Sequence, residues 1–472
     1  MKILLVDPSF YSSGKLFKTK KLGYFPLTLA RVAACFSKEH EITLIHERCQ
    51  EIDFSKNYDL VGFSTMGSNW VRAAEISETF LSRGVKTVVG GFSAEKCLEA
   101  CKDSFSSFVL GDAEELISEI IHDLEKNDLR KEYKNLSPSI ENLPLPRFDL
   151  IPPSIVGDVV PVEASRGCPN SCAFCSITSL YSQNYRKRDV DEVLKEIELV
   201  LSVFKKRFIY FTDPNFTADM NHAKTILRKI QSEKLGGACE FTDFVSQALP
   251  TFGQEKAKGS HPRKFFWIAG VDINCLQDDE FLLLARKSGC LSLQIGFETL
   301  SKANLRAVGK NFAAEYDYPK LIKRAQNFGI PITALMMVGF DHDDRSTFKN
   351  IQRFVEEHHI PLLITHPVIP VPGTPMYKKL QLEGRLIHVD PKFADGLHVS
   401  FRPRNFTPAE LENEFWRLNI QVSGIKSIFK RFLWTGILRN IPAYFVLFVM
   451  NFLLAKVAKK GLSIGDYNNS IK

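Results

Sequence analysis

The segment Ser165–Cys175, which reads SRGCPNSCAFC, is the most informative part of this chain because it contains three cysteines. Three residues separate Cys168 from Cys172, and two residues separate Cys172 from Cys175. Thiolates are soft ligands that select iron–sulfur clusters or zinc over harder metal ions. A closed structural zinc site would need a fourth ligand, usually from a second pair of cysteines, and no such pair lies nearby. The spacing therefore favours an iron–sulfur cluster over zinc, and over three ordinary buried cysteines.

This segment resembles the signature of the radical S-adenosylmethionine (radical SAM) superfamily, and the aromatic Phe174 before the third cysteine fits that signature as well. The resemblance implies that Cys168, Cys172 and Cys175 hold a four-iron four-sulfur (4Fe-4S) cluster in which one iron has no protein ligand. In the superfamily this iron chelates the amino and carboxylate groups of S-adenosylmethionine (SAM), and an electron cleaves the SAM sulfonium. A low-potential electron donor, such as a flavodoxin or a ferredoxin, is therefore an implied partner.

The composition is typical of a globular protein. The chain has 472 residues, of which 44% are hydrophobic and 24% are charged. At roughly 100–200 residues per domain, this length predicts about two or three domains. The N-terminus becomes polar too early for a secretory signal peptide, so we expect the protein to be cytoplasmic. Its ten cysteines are then thiols or metal ligands rather than disulfides.

The net charge of +7 is concentrated in the C-terminal tail. Residues 401–472 contain eleven Lys and Arg against four Asp and Glu, whereas the other 400 residues carry 50 of each sign. Such a tail predicts contact with an anionic surface, and it argues against nucleic acid as a partner of the main body.

Residues 441–455 form a largely apolar block of 15 residues with basic residues on both sides. This block is shorter than the roughly 20 residues that are needed to span a bilayer. It predicts a helix that lies at a membrane interface, covers a hydrophobic substrate pocket, or packs as a C-terminal core helix. Peripheral contact with the inner face of the membrane therefore stands beside the core-helix alternative, within a helical C-terminal extension over residues 386–472.

Residues 1–130 alternate short apolar runs with segments of helical periodicity. This alternation predicts an α/β domain with a doubly wound parallel sheet, in which a ligand binds beyond the carboxyl ends of the strands. Small residues at those ends, including Ser64, Gly90 and Gly91, let the backbone approach a large flat ligand. The strands are predicted at residues 3–6, 43–45, 60–64, 87–91 and 108–111, and the helices at 26–36, 70–81 and 113–124.

Placed directly ahead of the cysteine segment, these loops resemble the Rossmann-like cobalamin-binding domain of cobalamin-dependent radical SAM enzymes. The resemblance covers about residues 1–385 and implies that Ser64, Gly90 and Gly91 contact cobalamin. The Asp-x-His-x-x-Gly motif that supplies a lower axial histidine in many cobalamin proteins is absent, and His46 lies in a different context. The coordination of cobalt therefore stays open, as does the alternative of a domain that serves only as a scaffold.

A proline-rich linker is predicted over residues 131–158, because its five prolines remove hydrogen-bond donors and block helix formation. A second alternating series predicts a radical SAM domain over residues 159–385, and the resemblance implies that its six strands form a partial (βα)6 barrel. A polar insert over residues 238–264 interrupts this series without a physical explanation. The strands are predicted at 160–164, 208–212, 266–272, 291–297, 332–338 and 362–368, and the helices at 190–203, 223–231, 278–287, 318–327 and 346–357.

Reactive groups of parallel barrels collect at the carboxyl ends of the strands. By resemblance, Asp213 at the end of the second strand helps to hold the SAM ammonium group, although Asp-Pro-Asn is also good turn chemistry. The end of the fourth strand resembles the Gly-x-Glu approach to SAM. There Glu298 would accept ribose hydrogen bonds, and Gly296 would let the strand pass close to the cofactor. Gln294 joins Glu298 in this site, unless the two form a buried structural pair. No catalytic residue is assigned.

The resemblance implies an enzyme that cleaves SAM reductively and, with cobalamin, methylates an unactivated carbon of a small hydrophobic substrate. One alternative is a cobalamin-dependent radical cyclase or oxidase that acts on a tetrapyrrole or a lipid. An alternative of another class is a non-catalytic carrier of cobalamin or a tetrapyrrole, for which a complete set of three cysteines would be wasteful.

Overall fold

Two six-stranded parallel sheets, one in each half of the chain, form the framework of the protein in the computed structural model. The structure describes residues 1–12, 15–136, 138–233, 235, 265–387 and 396–460. The insert predicted over residues 238–264 lies outside the described residues, as does the tail after residue 460. The predicted α/β class is confirmed: a doubly wound parallel sheet is followed by a second parallel sheet and a helical C-terminus.

The first sheet is doubly wound around its earliest strand. Its elements in chain order are β1 (Lys2–Asp7), the short antiparallel pair β2 (Tyr11–Ser12) and β3 (Lys15–Leu16), α1 (Thr28–Ala34), β4 (Glu41–His46), β5 (Leu60–Ser64), α2 (Trp70–Leu81), β6 (Lys86–Gly90), α3 (Ala94–Cys101), β7 (Ser107–Gly111), α4 (Ile117–Glu125) and β8 (Glu132–Asn135). The strand order is β4-β1-β5-β6-β7-β8. Because the chain changes direction across the sheet between β1 and β5, a crevice is expected at their carboxyl ends, where such folds bind ligands.

The strand β8 corrects the prediction that a linker begins at residue 131. Its sequence, EYKN, has a single buried side chain, Tyr133, because β8 is the edge strand of the sheet. An edge strand with one buried residue shows no apolar run, so the sequence pattern did not reveal it.

The proline-rich segment after β8 packs against both halves of the molecule. Phe148 is 1% exposed, and its ring contacts those of Phe25 and Phe204. Val156 forms a parallel bridge with Leu22. The segment therefore helps to join the two sheets through one continuous core.

In the second sheet the strands lie side by side in chain order, as in a partial (βα)6 barrel, from β9 (Val159–Val162) at one edge to β16 (Leu362–Pro367) at the other. Its helices lie between successive strands, and the short antiparallel pair β10–β11 brackets the cysteine segment. The elements are β9 (Val159–Val162), β10 (Ser165–Arg166), α5 (Ser176–Tyr181), β11 (Arg186–Lys187), α6 (Val190–Phe204), β12 (Phe208–Phe211), α7 (Met220–Ser232), β13 (Phe266–Val271), α8 (Asp279–Lys287), β14 (Cys290–Glu298), α9 (Lys302–Ala307), α10 (Asn311–Ala314), α11 (Tyr318–Asn327), β15 (Ile332–Val338), α12 (Arg345–Glu357), β16 (Leu362–Pro367) and α13 (Pro375–Leu382).

The C-terminal extension covers the amino end of the second sheet. It consists of α14 (Pro408–Val422), α15 (Ile425–Phe432), a 3-10 turn (Thr435–Arg439) and α16 (Ile441–Lys460). Ala443 of α16 packs with Phe266 and Leu291, which lie at the starts of β13 and β14. Tyr444 and Leu447 pack around Leu362 at the start of β16. One face of α16 is thus a core face, and none of the described helices is long and apolar enough to cross a bilayer.

Candidate functional site

The three cysteines lie on a loop that is closed at its base by the antiparallel pair β10–β11. Gly167 begins the loop with φ 80°, and a Cβ there would lie 1.9 Å from the carbonyl oxygen of Asn184. Only glycine fits this turn, so the start and the end of the loop run close together. Cys172 is buried, whereas Cys168 and Cys175 are partly exposed.

Burial disfavours the thiolate forms of Cys172 and Cys168. It raises the pKa of Cys172 to about 12, although the nearby ammonium of Lys310 acts in the opposite direction. Burial also raises the pKa of Cys168. Metal binding deprotonates a thiol, so a bound cluster would release these protons.

The donor set fits an iron–sulfur cluster. Among the described residues, no three His, Cys, Asp or Glu side chains converge on the position of a single metal ion. A cuboidal cluster takes its thiolates on different irons, so its ligands need not converge in that way. The charges of Cys168 and Cys175 both raise the pKa of Cys172, as expected for three thiols on one short loop. The role of Cys168, Cys172 and Cys175 as cluster ligands stays a prediction.

Phe174 lies beside a small cavity at the same end of the second sheet. Its ring meets that of Phe340 edge-on, with 6.3 Å between ring centroids. The cavity has a volume of about 180 Å³ and is lined by Ala173, Gly339, Phe340 and Met376, among others. This arrangement places the aromatic residue of the cysteine segment near a pocket, and its contact with SAM stays a prediction.

Asp213 follows β12 and holds the start of the cysteine loop. Its carboxylate accepts hydrogen bonds from the backbone N–H of Ala164, at 3.0 Å, and from the hydroxyl of Ser165. Burial raises the pKa of Asp213 to about 7. Asp213 therefore joins β12 to β10, and the predicted contact with the SAM ammonium group remains untested.

Gln294, Gly296 and Glu298 occupy alternate positions of β14, and each is partly exposed while the residues between them are buried. The register with β15 shifts at Gly296 and Glu298, and Glu298 has φ 60°. This left-handed conformation is unusual for a residue with a side chain and marks local strain. A Cβ on Gly296 would lie 2.3 Å from Oε1 of Glu298. Gly296 thus makes room for the Glu298 carboxylate, whereas the sequence analysis predicts that it makes room for the cofactor.

Lys310 is the site residue that the sequence analysis did not identify. Its Nζ donates to Oε1 of Glu298 at 2.9 Å and to the carbonyl oxygen of Gly296 at 2.5 Å. Its side chain is 10% exposed, and its charge acts on Cys172. No local sequence pattern marks this lysine, because its proximity to the cysteine loop arises only from the fold.

The carboxyl edge of the first sheet exposes apolar side chains between small residues. Met66 and Phe92, which follow β5 and β6, are 59% and 44% exposed. Ser64 and Gly90 end the same two strands and are partly exposed. An exposed apolar surface next to small residues fits a large flat macrocycle such as cobalamin. The contacts of these residues with cobalamin stay a prediction.

Gly91 has a structural role at this edge. It has φ 95°, and a Cβ there would lie 2.5 Å from the carbonyl oxygen of Thr65. The loops after β5 and β6 pack together only because position 91 has no side chain. His46 is fully buried, and its Nδ1 lies 2.9 Å from Oδ2 of Asp7.

Comparison with known proteins agrees with this geometry. A family model described as the Radical SAM superfamily matches residues 162–355. The bacteriochlorophyllide d C-12(1)-methyltransferase of Chlorobaculum tepidum is 26% identical over 467 residues, which cover 97% of this chain and 94% of that protein. The hopanoid C-2 methylase of Rhodopseudomonas palustris is 25% identical over 309 residues, covering 62% of this chain and 52% of that protein.

Two solved structures share the whole architecture. Both are of the radical S-adenosylmethionine methyltransferase TsrM from Kitasatospora setae, one of them with cobalamin and a [4Fe-4S] cluster bound. They have TM-scores of 0.61 and 0.62 at 16% and 15% identity, and they cover 88% and 99% of this chain and 81% and 97% of theirs. Residues 162–355 therefore match the radical SAM superfamily, and the chain has the two-sheet fold of a methyltransferase that has been solved with cobalamin bound.

Proposed function

We propose that this protein is a cobalamin-dependent radical SAM methyltransferase that acts on an unactivated carbon of a small hydrophobic molecule. The observation that carries the proposal is the presence, in one chain, of the cysteine loop and of a doubly wound sheet whose carboxyl edge exposes Met66 and Phe92. A carrier without catalysis would not need the cysteine loop. The bacteriochlorophyllide d C-12(1)-methyltransferase matches 97% of the chain, which supports methyl transfer over cyclisation.

Some residues of the site would bind the cofactors, and others hold the binding residues in place. When bound, the cluster and SAM supply a 5′-deoxyadenosyl radical and methylcobalamin supplies the methyl group. Cys168, Cys172 and Cys175 would hold the cluster, and Asp213 fixes the loop on which they lie. Lys310 neutralises Glu298 beside Cys172, so both charges stay fixed in a buried region from which water is largely excluded. Fixed dipoles and charges of this kind need no reorganisation during a reaction.

The substrate class follows from the relatives and from the exposed surface. The two relatives above are named for a bacteriochlorophyllide and a hopanoid, a tetrapyrrole and a polycyclic lipid. We propose a small-molecule substrate of this hydrophobic, polycyclic type, and a low-potential flavodoxin or ferredoxin as the source of electrons.

The test is to identify the nucleoside products under anaerobic conditions. Protein reconstituted with iron, sulfide and hydroxocobalamin is incubated with SAM, dithionite and bacteriochlorophyllide d as the probe, and the products are measured by mass spectrometry. Methyl transfer is expected to yield S-adenosylhomocysteine and 5′-deoxyadenosine in about equal amounts, because one SAM supplies the methyl group and another supplies the radical.

The same protein prepared without the corrinoid is the control, and it should form 5′-deoxyadenosine without S-adenosylhomocysteine. The corrinoid that is retained should show no spectrum of histidine coordination. Failure to retain any corrinoid would rule out cobalamin-dependent methylation and leave the radical SAM assignment in place.

We also propose that the C-terminal extension binds the surface of an anionic membrane. The outward sides of α15 and α16 expose a row of large apolar residues that recur every three or four positions, and we call this row the apolar stripe. Phe448 links the two helices, with ring centroids 6.4 Å from Phe429 and 5.0 Å from Phe452. The stripe consists of Ile425, Phe429, Leu433, Ile441, Phe445, Val449 and Phe452.

The positive charge around the apolar stripe favours an anionic membrane as its partner. No Asp or Glu occurs between Glu414 and Asp466, whereas this interval contains eight Lys and Arg, from Arg417 to Lys460. Interfacial helices gain from apolar burial and from attraction to anionic lipid, worth about 1 kcal/mol per basic residue near the surface. An anionic bilayer therefore fits this surface better than a neutral one.

Substitution within the apolar stripe tests membrane binding. The double variant Phe429→Glu, Phe452→Glu is expected to sediment with vesicles of phosphatidylserine and phosphatidylcholine at least about tenfold more weakly than the natural protein. Leu283→Glu, at an exposed leucine of α8 outside the stripe, is the matched control and should sediment normally. Binding of the natural protein should weaken at high salt because salt screens the attraction. Equal sedimentation of all three proteins would contradict the proposal.

A further inference from the structure

Asp112 lies at the carboxyl end of the first sheet and contacts both sides of the cysteine loop. Its side chain is 6% exposed. Oδ2 accepts from Nη1 of Arg186 at 2.7 Å and lies 3.3 Å from Nη1 of Arg166. Oδ1 accepts from the hydroxyl of Tyr181 at 3.2 Å. Arg166 precedes the three cysteines, whereas Tyr181 and Arg186 follow them. One carboxylate on the first sheet therefore holds the loop of the second sheet from both of its ends.

The backbone of Asp112 is itself held rigidly. Gly111 has φ 94°, and a Cβ there would lie 2.1 Å from the carbonyl oxygen of Asn135. The N–H of Asp112 donates to that same oxygen at 2.9 Å. The turn after β7 thus requires glycine and is tied to β8, so Asp112 starts from a fixed position.

Two further carboxylates hold Arg166 but not the other side of the loop. Nη2 of Arg166 lies 2.6 Å from Glu114, and its Nε lies 2.8 Å from Glu163. Among the described residues, Glu114 pairs with Arg166 and not with Arg186 or Tyr181, although its side chain is as buried as that of Asp112, at 8% against 6% exposure. Removal of one partner from a buried ion-pair network leaves an uncompensated charge. Loss of the Asp112 charge therefore affects both sides of the loop, whereas loss of the Glu114 charge affects only the side that contains Arg166.

We propose that Asp112 is a positioning residue that fixes the cysteine loop against the carboxyl edge of the first sheet, and so sets the cluster relative to the corrinoid. The part of this inference that concerns the corrinoid rests on the proposed function. Two cofactors that act in one reaction need a fixed separation, since a displacement of about 1 Å can cost about a hundredfold in rate.

Hydrogen exchange of the full-length protein before cofactor loading tests the positioning role. Asp112→Asn is expected to speed amide exchange in residues 168–185 by about tenfold or more, because it removes the negative charge that pairs with an arginine at each end of the loop. Glu114→Gln is the matched control, and it should have a clearly smaller effect because Arg186 and Tyr181 keep their contacts with Asp112 on the other side of the loop. Tyr181→Phe removes only one hydrogen bond and should speed exchange in the same segment to a smaller extent.

Faster exchange throughout both sheets in Asp112→Asn, or equal effects of Asp112→Asn and Glu114→Gln, would overturn the proposal. If Asp112→Asn does not fold, Tyr181→Phe tests the proposal in its place. Unchanged amide exchange in residues 168–185 of Tyr181→Phe would then overturn the positioning role of Asp112.

Hydroxocobalamin serves as the probe for the proposed link between the cysteine loop and the corrinoid site. Its binding should slow exchange in residues 168–185 of the natural protein and of Glu114→Gln, but not in Asp112→Asn. Slowing of equal size in all three proteins would overturn the link between the two cofactor sites. If none of the three proteins binds hydroxocobalamin, the proposed function fails, and the exchange of the unloaded proteins still decides the role of Asp112.

Discussion

Replacement of Cys172 by alanine is expected to abolish reductive SAM cleavage. Cys172 is the most buried of the three cysteines, and Lys310 and Glu298 lie near it. Without its sulfur, one iron of the cluster would lose the thiolate that the loop provides for it. The natural protein should bind about four irons after anaerobic reconstitution, and the variant should bind substantially fewer. Iron analysis and mass spectrometry of 5′-deoxyadenosine measure the two effects.

The control for this experiment is Cys35→Ala. Cys35 is a partly buried free cysteine at the end of α1, and it is not part of the cysteine loop. Its removal should leave iron content and SAM cleavage unchanged. Formation of 5′-deoxyadenosine by Cys172→Ala at the natural rate would refute the radical SAM chemistry proposed for the loop.

The strands of this protein could be predicted where they are buried on both sides. The runs at residues 60–64 and 332–338 are apolar throughout most of their length, and they coincide with β5 and β15. Strands covered by helices on both faces carry this signal because both sets of side chains are buried. The edge strand β8 has only Tyr133 buried, so the same reasoning could not detect it.

The candidate site was harder to predict because its glycines and charges act across the fold. Gly91 and Gly296 are predicted from sequence to approach cofactors, and this stays a prediction; the structure adds that the Thr65 carbonyl and the Glu298 carboxylate lie where their Cβ atoms would be. The absence of a Cβ provides space for a cofactor or for another group of the protein, and only the fold shows which protein group lies in that space. Lys310 and Asp112 act on the cysteine loop from distant positions in the chain, and no spacing rule links them to it.

The sequence likewise could not show that one helix combines a core face with an exposed apolar face, two features that were predicted as alternatives. The apolar block at residues 441–455 belongs to α16, which packs Ala443 and Leu447 against the second sheet and exposes Phe445 and Val449 on the other side. Deletion of α16 would therefore uncover the sheet as well as remove the apolar stripe. Substitutions on the outer face separate these two effects, which is why they test membrane binding.

Arg431→Ala is expected to cause the largest loss of stability in the C-terminal extension. Arg431 of α15 is fully buried, and its guanidinium donates to neutral acceptors on three different elements. It bonds the carbonyl oxygens of Pro361 and Val422, each at 2.7 Å, and Oδ1 of Asn451 at 2.8 Å. These contacts join the start of β16, the end of α14 and the middle of α16. Burial lowers the pKa of Arg431 to about 10, so the side chain still carries its charge at neutral pH.

Alanine at this position would leave several buried acceptors without a donor, and each unsatisfied group costs about 1–3 kcal/mol. The free energy of local unfolding of α15 and α16, measured by hydrogen exchange, should therefore fall by about 4 kcal/mol. Arg417→Ala, at an exposed arginine of α14 paired with Glu414, should change it by no more than about 0.5 kcal/mol. Because SAM cleavage depends on the opposite end of the second sheet, Arg431→Ala should release the extension before it affects the cysteine loop. Unchanged exchange in α15 and α16 would mean that apolar packing alone holds the extension in place.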